Sequence, residues 1–484
     1  MGLLVTNTFG FIQLVTFFSY FAIVLLIAFL SYRGQSSNTD FIMGNRSLNF
    51  WLTALSAHAS DMSSWLFLAY PAAVFTIGVF YSWAAVGLVG FMFLNWQFIA
   101  PKIRTVTEQL GSLTLNSYFE SRFADTSGRI RVVSGIMAIV YFTIYISSGL
   151  VGLGLIVESL FGLSYLLGIS FGLLIIVLYV FLGGYKTVAW IDLFQGFFLL
   201  SVIVFIPAYI IINAGSFKPI IDAIELKNLS TSLFPDFSLT TFWVILMTVT
   251  SWGLGYFGQP HIITKFMGIR RVSDMSKAKW VGISWQTIAL GAATLIGLIG
   301  VFLFPEGVAE PEQLVLDIVK LTFAPFFAGI VLCAILAATT NVMAAQILVV
   351  ASNLTEDFYK KMFRRQASQN ELLWVSRFSV VLVALLGYII AFFKPTTIYK
   401  LVLYAWSGLG ASFGPLLLLS LYTKNINRHG AFAGILVGGI TTAIWPYFGD
   451  PWGISAVLAG FILSVIAIEI TSFVTRNPSS SFQS

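Results

Sequence analysis

Two short stretches interrupt otherwise apolar segments, and both have the composition of an ion or solute site. The first, residues 57–65, reads Ala-His-Ala-Ser-Asp-Met-Ser-Ser-Trp and places Asp61 near the middle of a long apolar run. A carboxylate at the centre of a membrane helix costs about 2.5–3.5 kcal/mol to insert. We therefore expect Asp61 to face a water-filled cavity or to be paired inside the protein. Ser60, Ser63 and Ser64 can hydrogen-bond backbone groups that an unwound turn sets free.

The second stretch, residues 252–261, reads Trp-Gly-Leu-Gly-Tyr-Phe-Gly-Gln-Pro-His. Three glycines and a proline in ten residues do not hold a straight helix. The ends of two half-helices offer free N–H groups that attract a substrate carboxylate, and free carbonyls that coordinate a cation. The two stretches together predict a site for an ion and a small solute at the middle of a membrane.

The elements around these stretches are those of a membrane protein. Of 484 residues, 58% are hydrophobic and 10% are charged, whereas a soluble domain carries about 25% charged residues. This composition argues against a soluble enzyme, a nucleic-acid-binding protein and a disordered scaffold. The sequence has no P-loop, nucleophile elbow, HExxH or CxxC motif, which predicts neither an enzyme nor an ATP-driven pump, and no cofactor. The single cysteine, Cys333, excludes an intramolecular disulfide.

The apolar runs predict thirteen membrane-spanning helices, numbered here in chain order. They cover residues 10–32, 48–77, 79–101, 132–158, 161–183, 188–214, 241–267, 280–304, 323–353, 373–393, 398–422, 430–448 and 452–475. With the N-terminus outside, 21 of the 26 Lys and Arg residues fall on the inner side and 5 on the outer side. This bias predicts a multi-pass protein of the cell membrane with a cytoplasmic C-terminus. Residues 477–484 are predicted to be a short disordered tail.

The two interrupted spans, the second and the seventh, lie five apart. Broken helices at matching places in two halves are typical of transporters built from inverted repeats. We therefore predict one transport domain with a first repeat over residues 48–214 and a second over residues 241–422. Residues 10–32 add an N-terminal helix, and residues 430–475 add two C-terminal helices. The two halves show no residue-level identity, so this prediction rests on topology.

At these residues the sequence resembles the sodium/solute symporters, and most of all the members that transport proline. The resemblance is carried by residues 59–65 and 252–261, and it covers nearly the whole chain. Further matching positions are Gly44-Asn45-Arg46-Ser47-Leu48, Thr143-Ile144-Tyr145, Asp192-x-x-Gln195, Ala334 to Ala338, Gln346 and Thr355-Glu356-Asp357-Phe358-Tyr359. The resemblance implies a leucine-transporter-like, all-α fold with thirteen transmembrane helices. It also implies alternating access and sodium-coupled import of proline or a closely related small amino acid.

The resemblance also implies which residues bind the substrate. The implied positions are Trp65, Tyr145, Trp252, Tyr256 and Pro260, together with Ser64 and Ala69, where the proline transporters carry glycine. These residue types suit proline, because aromatic walls hold an apolar ring by packing and a secondary ammonium by cation–π contact. Asp61 is implied to be essential for sodium coupling.

The implied sodium site departs from the family pattern. Backbone carbonyls of Ala59, Met62 and Ala338 match it, but the two hydroxyl residues that should follow are Asn341 and Val342. Valine offers no oxygen, and asparagine offers one carbonyl oxygen. Thr339 and Thr340 lie just before, but on other faces of the helix.

Several alternatives follow from this departure. Asn341 can ligate sodium in place of the hydroxyls, the transporter can couple to protons through Asp61, Asp192 or His58, or uptake can be uncoupled. Asp192 is predicted either to line an ion exit path or to pair with Lys186. A transporter-like membrane sensor is the alternative from another class of protein, and a channel is a third. Apart from the lipid bilayer, the expected partner is a small amino acid and not nucleic acid; the sequence leaves the oligomeric state open.

Overall fold

The computed structural model describes residues 2–31 and 37–476, and within these ranges every regular element is a helix. Residues 32–36 and the predicted tail at 477–484 lie outside the described residues. The long helices are Gly2–Ser31, Arg129–Phe161, Tyr165–Ala214, Met275–Leu303, Pro325–Ser352, Gln369–Phe393, Ile398–Tyr422, Arg428–Ile444 and Ala456–Val474. The shorter ones outside the broken spans are Asn38–Met43, Leu115–Arg122, Lys218–Leu226 and Leu314–Thr322.

Both predicted interruptions are present. The second span consists of Phe50–Ala59, a π-helical turn at Trp65–Ala69 and the helix Tyr70–Ile77. The seventh consists of Leu239–Gly253, a 3₁₀ turn at Leu254–Gly258 and the helix Pro260–Met267. The third span is continuous over Val79–Gln109, and the ninth span runs on into a π-helical segment at Asn353–Phe363.

The fifth and sixth predicted spans share one helical run, Tyr165–Ala214, instead of being separated by a loop. A straight helix of this length measures about 75 Å, far more than the roughly 30 Å of a hydrocarbon core. The run bends at Gly184, whose φ of 56° and ψ of −158° are not helical. A glycine adopts this conformation without a steric penalty, which explains how the chain turns without a loop.

Ten helices in the described ranges are long and apolar enough to cross a membrane. This number counts the fused run once and leaves out the two broken spans, so the count of thirteen crossings stays a prediction. The helix Arg129–Phe161 packs against Tyr165–Ala214, Pro325–Ser352 and Ile398–Tyr422. The two C-terminal helices pack on each other and on Ile398–Tyr422, while Gly2–Ser31 packs on Pro325–Ser352. The two broken spans lie within this bundle, and most of their residues are buried.

Candidate functional site

The break in the second span is stabilised by the serines of its own polar stretch. Helix Phe50–Ala59 ends at Ser60, whose hydroxyl donates to the Ser56 carbonyl one turn back. Ser63 has a positive φ of 30°, which is uncommon for a residue with a side chain. Its hydroxyl oxygen accepts from the N–H of Trp65 at 3.1 Å. The predicted role of the serines is thus confirmed for Ser63, whereas the Ser56 carbonyl that Ser60 reaches already accepts from the Ser60 N–H. The hydroxyl of Ser64, in contrast, has no hydrogen-bond partner among the described residues.

The break in the seventh span is stabilised from outside by side chains. Gln259 is extended, with φ −91° and ψ 101°, and Pro260 starts the second half-helix at a position that tolerates proline. Asn95 Nδ2 donates to the Tyr256 carbonyl at 3.0 Å. Gln259 Nε2 donates to the Gly255 carbonyl at 3.1 Å. These bonds satisfy carbonyls that the interrupted helix leaves without a partner.

Two further contacts of this break, at Trp252 and Gly258, involve the helix Ile398–Tyr422. Trp406 Nε1, on the helix Ile398–Tyr422, donates to the Trp252 carbonyl at 2.9 Å. A Cβ on Gly258 would lie 2.5 Å from the Leu409 carbonyl oxygen, so only glycine allows this approach of the two backbones.

The two breaks meet at Asp61. Its carboxylate accepts a short hydrogen bond from the Tyr256 hydroxyl, and the Tyr256 oxygen in turn accepts from Gln286 Nε2 at 2.7 Å. Asp61 is 5% exposed. Of the two alternatives expected for Asp61, a water-filled cavity or a partner inside the bundle, the structure shows the partner, and it belongs to the other broken span.

Aromatic side chains surround this junction and enclose a small cavity. The ring centroids of Trp65 and Trp252 are 4.7 Å apart, and those of Tyr256 and Trp406 are 4.9 Å apart, edge to face. The lining consists of Asp61, Met62, Trp65, Leu88, Tyr145, Trp252, Tyr256, Val402 and Trp406. About 10 Å³ are open to the centre of a water molecule, which is room for about one water.

Four of the predicted substrate residues, Trp65, Tyr145, Trp252 and Tyr256, line this cavity together. Sequence reasoning missed Leu88, Val402 and Trp406, which lie on regular helices without a motif. Pro260 lines a separate cavity beyond the break, with Tyr185, Lys265 and Leu348 among its neighbours.

Ser64 and Ala69, the other two predicted substrate residues, are buried but do not line the aromatic cavity. The Cβ and Oγ atoms of Ser64 lie against Gly152: a Cβ on that glycine would be 2.9 Å from the Ser64 Cβ.

One side of the aromatic cavity is closed by rings and hydroxyls. Trp252 Nε1 donates to the Tyr81 hydroxyl at 3.2 Å, and the hydroxyls of Tyr81 and Tyr399 are 2.8 Å apart. Glu312 accepts from the backbone N–H of Tyr399 at 2.8 Å and of Ile398 at 3.0 Å, so it caps the helix Ile398–Tyr422. Burial raises the pKa of the Glu312 carboxyl, while these two N–H groups lower it. We call Tyr81, Trp252, Glu312 and Tyr399 the aromatic end.

The opposite side holds charged residues. Lys265 Nζ donates to Asp192 Oδ2 at 3.0 Å, and the two side chains are 2% and 1% exposed. Ser56, in the first half of the second span, donates to the same carboxylate oxygen. Arg46 donates to the carbonyls of Met267 and Ser112, each at 2.8 Å, and of Thr107 at 3.1 Å. We call Arg46, Asp192 and Lys265 the charged end.

The predicted alternative of a pair between Asp192 and Lys186 is wrong. Lys186 Nζ lies 2.7 Å from Asp40 Oδ1. The helical run bends at Gly184, just before Lys186. Lys186 is partly exposed, whereas Asp192 is buried. The partner of Asp192 is Lys265, which follows the break of the seventh span and is distant in sequence.

Of the predicted sodium ligands, two lie at the first break and three lie on the helix Pro325–Ser352. Ala59 is the last residue of the helix Phe50–Ala59, and Met62 lies within the break. The other three predicted ligands are Ala338, Asn341 and Val342, and all five residues are buried. Neither amide atom of Asn341 has a hydrogen-bond partner within the described part of the chain. A fully buried amide without a partner is costly, so Asn341 is suited to an additional polar ligand.

The hydroxyl protons of the neighbouring threonines are used within their own helix. Thr339 donates to the Ile335 carbonyl and Thr340 to the Leu336 carbonyl, both at 2.8 Å. Their oxygens keep lone pairs, which are the part of a hydroxyl that binds a cation. His58 is also engaged: its Nε2 accepts from Trp96 Nε1 at 2.9 Å and therefore carries no proton.

Comparisons with known proteins identify the relatives of this arrangement. Residues 41–438 match the sodium:solute symporter family. The high-affinity proline transporter PutP of Bacillus subtilis is 37% identical over 460 residues, covering 94% of this chain and 97% of the relative. The sodium/proline symporter of Escherichia coli is 37% identical over 480 residues, covering 97% of this chain and 95% of the relative.

Solved structures share the fold. A Na⁺-coupled sialic acid symporter in a substrate-bound outward-open state superposes with a TM-score of 0.83 at 19% identity, covering 97% of this chain and 99% of the other. The transporter MhsT in complex with L-phenylalanine gives a TM-score of 0.56 at 14% identity, covering 87% of this chain and 97% of the other. At these identities the likeness concerns the fold alone, and it confirms the predicted leucine-transporter-like architecture.

Proposed function

Because the chain belongs to the sodium:solute symporter family, we propose that it is a secondary active transporter that imports proline, or a closely related small amino acid, together with sodium. The observation that carries the proposal is the junction of the two broken helices. There a buried carboxylate, Asp61, bonds to Tyr256 across the break and faces an aromatic cavity. The curated relatives that cover nearly the whole chain are named as proline transporters.

The cavity fits proline in chemistry. Trp65, Trp252 and Tyr256 offer ring faces for an apolar pyrrolidine, and Asp61 supplies a negative charge near its ammonium. The cavity is too small for proline as it stands. Binding must therefore separate the packed rings of Trp65 and Trp252, which is how a substrate can trigger a change between open and closed forms.

For sodium, the ligands we propose are the carbonyls of Ala59, Met62 and Ala338 and the side-chain oxygen of Asn341. Hard cations take oxygen ligands, and carbonyl oxygens at a helix break supply them without a net charge. The unpartnered amide of Asn341 supports this reading, because an ion would satisfy its oxygen. Val342 contributes no oxygen.

We place the N-terminus outside and the C-terminus in the cytoplasm of a multi-pass cell-membrane protein, following the bias of basic residues. The aromatic end then faces outward and the charged end inward. The relatives named as sodium symporters favour sodium over proton coupling, uncoupled uptake or a sensor role. His58 supports proton coupling poorly, because Trp96 already donates to its Nε2.

The test is radiolabelled proline uptake into proteoliposomes of the purified full chain, with sodium and proton gradients imposed separately and potassium as the control. We expect an inward sodium gradient to drive accumulation and a proton gradient alone to drive none. Accumulation driven only by protons would contradict sodium coupling. If neither gradient drives uptake, the proline assignment fails.

The Asn341 proposal has its own pair of variants. Asn341→Ala removes the proposed side-chain ligand, and we expect the sodium concentration for half-maximal uptake to rise by about tenfold, the loss of one contact to a charged group. Val342→Thr adds a hydroxyl at the neighbouring position and should lower that concentration. Unchanged sodium dependence in Asn341→Ala would rule out the ligand role.

A further inference from the structure

The charged end contains an ion pair that no role in the proposed transport cycle yet explains. Asp192 and Lys265 are both almost completely buried, and the Lys265 Nζ to Asp192 Oδ2 distance is 3.0 Å. A buried pair is weak evidence for a stabilising role, because the cost of removing both charges from water offsets much of their attraction. A hydrophobic pair would have filled the same volume, so the charges themselves call for a function.

The pair lies beside the proposed sodium site. Ser56, whose hydroxyl donates to Asp192, precedes Ala59 by about one turn of the same helix. One turn after Asp192 on its own helix, Gly196 packs on the Ala59 side chain: a Cβ on this glycine would lie 3.4 Å from it. Gln195 Nε2 is 3.5 Å from the Thr340 hydroxyl, next to Asn341. Asp192 is therefore adjacent to both elements that supply the proposed ligands.

The pair also borders the cavity beyond the second break. Lys265 lines that cavity with Pro260, Tyr185 and Leu348. An ion that leaves the proposed site through this cavity would pass Lys265, which lines it, and the Asp192 carboxylate that Lys265 holds.

The carboxylate is only half used. Oδ2 accepts from both Ser56 and Lys265, whereas Oδ1 is buried and has no hydrogen-bond partner among residues 2–31 and 37–476. An unpaired buried carboxylate would bind a passing cation tightly. Because the Lys265 ammonium is bonded to Oδ2, a cation at Oδ1 is attracted by the carboxylate and repelled by the ammonium, so it binds more weakly than it would to the carboxylate alone.

We propose that Lys265 is a tethered cation that prevents Asp192 from retaining sodium as the ion leaves toward the charged end. Lys265 is thus a positioning residue for ion release, and it keeps Asp192 a weak, transient contact for sodium. This inference rests on the proposed function, since it needs sodium as the coupling ion.

The decisive variant is Lys265→Met, studied in proteoliposomes and normalised to folded protein. Net sodium-driven uptake should fall by about tenfold or more, because sodium stays on the unpaired Asp192. Proline exchange between equal sodium concentrations on both sides does not need sodium release, so it should be largely retained. The sodium concentration for half-maximal exchange should fall.

Three companion variants keep the test sharp. Asp192→Asn with Lys265→Met removes both charges and should restore net uptake toward that of the unchanged protein, and Lys265→Arg should keep it. Lys279→Met removes another buried lysine, bonded to Gln97, and should not separate net uptake from exchange. If Lys265→Met folds poorly, the test rests on the double variant and on Lys265→Arg, both of which should keep net sodium-driven uptake.

The inference is overturned if Lys265→Met lowers exchange and net uptake equally with unchanged sodium dependence, as a merely structural role predicts. It is also overturned if the double variant releases sodium no faster than Lys265→Met. These results leave the proposed function intact. Failure of the unchanged protein to take up proline with sodium would instead refute the proposed function.

Discussion

The aromatic end and the charged end lie on opposite sides of the junction of the two breaks, and they are held together by different physical means. At the aromatic end, Tyr81, Trp252 and Tyr399 meet through ring packing and neutral hydrogen bonds of 2.8–3.2 Å. At the charged end, Arg46 holds three carbonyls of two separate segments, and Asp192 is paired with Lys265.

The difference predicts unequal costs of opening. A neutral hydrogen bond contributes about 1 kcal/mol net, whereas one that involves a charged group contributes about 1.5–3 kcal/mol. The aromatic end therefore opens at lower cost in the absence of ligand. Opening the charged end requires the bonds of Arg46 to be broken, which suits a barrier that yields only when substrate and ion are bound.

The largest effect is expected at Asp61, where the two helix breaks meet. Asp61→Asn should lower sodium-driven proline uptake by about a hundredfold, because it removes a buried, hydrogen-bonded charge. Tyr256→Phe keeps the carboxylate but removes its partner, so its loss should be smaller. Both variants are measured as initial uptake rates against sodium concentration. Equal losses in the two would show that the bond, and not the charge, matters.

The next effect concerns the charged end. Arg46→Gln should shift the resting protein toward opening at this end, by about 1.5–3 kcal/mol for each lost bond that is not replaced. The single native Cys333 is 2% exposed, so a Cys333→Ala background allows one reporter thiol. Ser352→Cys places the reporter in the cavity that Pro260 and Lys265 line, and its rate of maleimide labelling should rise in the Arg46→Gln background.

The matched control for this experiment is Arg46→Lys. Lysine keeps the charge but cannot bridge three carbonyls with a planar fork, so labelling of Ser352→Cys should be intermediate. A labelling rate that Arg46→Gln leaves unchanged would remove the basis for the comparison of the two ends.

The smallest effect is expected at the aromatic end. Tyr81→Phe removes the hydroxyl that joins Trp252 to Tyr399, and the loss of its two neutral hydrogen bonds costs about 2 kcal/mol, or about thirtyfold in the open population. A reporter at Val402→Cys, in the aromatic cavity, should be labelled about thirtyfold faster in the Cys333→Ala background. A larger change here than for Arg46→Gln at the charged end would reverse the proposed order of the two barriers.

The sequence predicted the features that residue type alone determines. The serines of the first break and the Gly-Pro pattern of the second specify interrupted helices, and both interruptions are present. Asp61 was predicted to need either a water-filled cavity or a partner, because a charge in a membrane is costly. The identity of that partner, Tyr256, depends on how two distant spans pack, which no local pattern reveals.

The remaining features escaped prediction for the same reason. Leu88, Val402 and Trp406 are ordinary residues on regular helices, and only the fold turns them toward the cavity. Asp192 was expected either to line an ion exit path or to pair with Lys186, the lysine nearest to it in sequence, because proximity in sequence was the only guide to a partner. The turn at Gly184 was missed because a loop was expected between two apolar runs, whereas one glycine suffices.

The anchoring of the second break has a consequence for how the protein is made. The Trp252 carbonyl is held by Trp406, which lies 154 positions later in the chain. During synthesis the seventh span enters the bilayer before that tryptophan exists, and a carbonyl without a partner in lipid is costly. The newly inserted segment should therefore stay close to the insertion machinery or the earlier helices until the eleventh span arrives. Assembly of the transporter is then a late event that only the C-terminal third of the chain can complete.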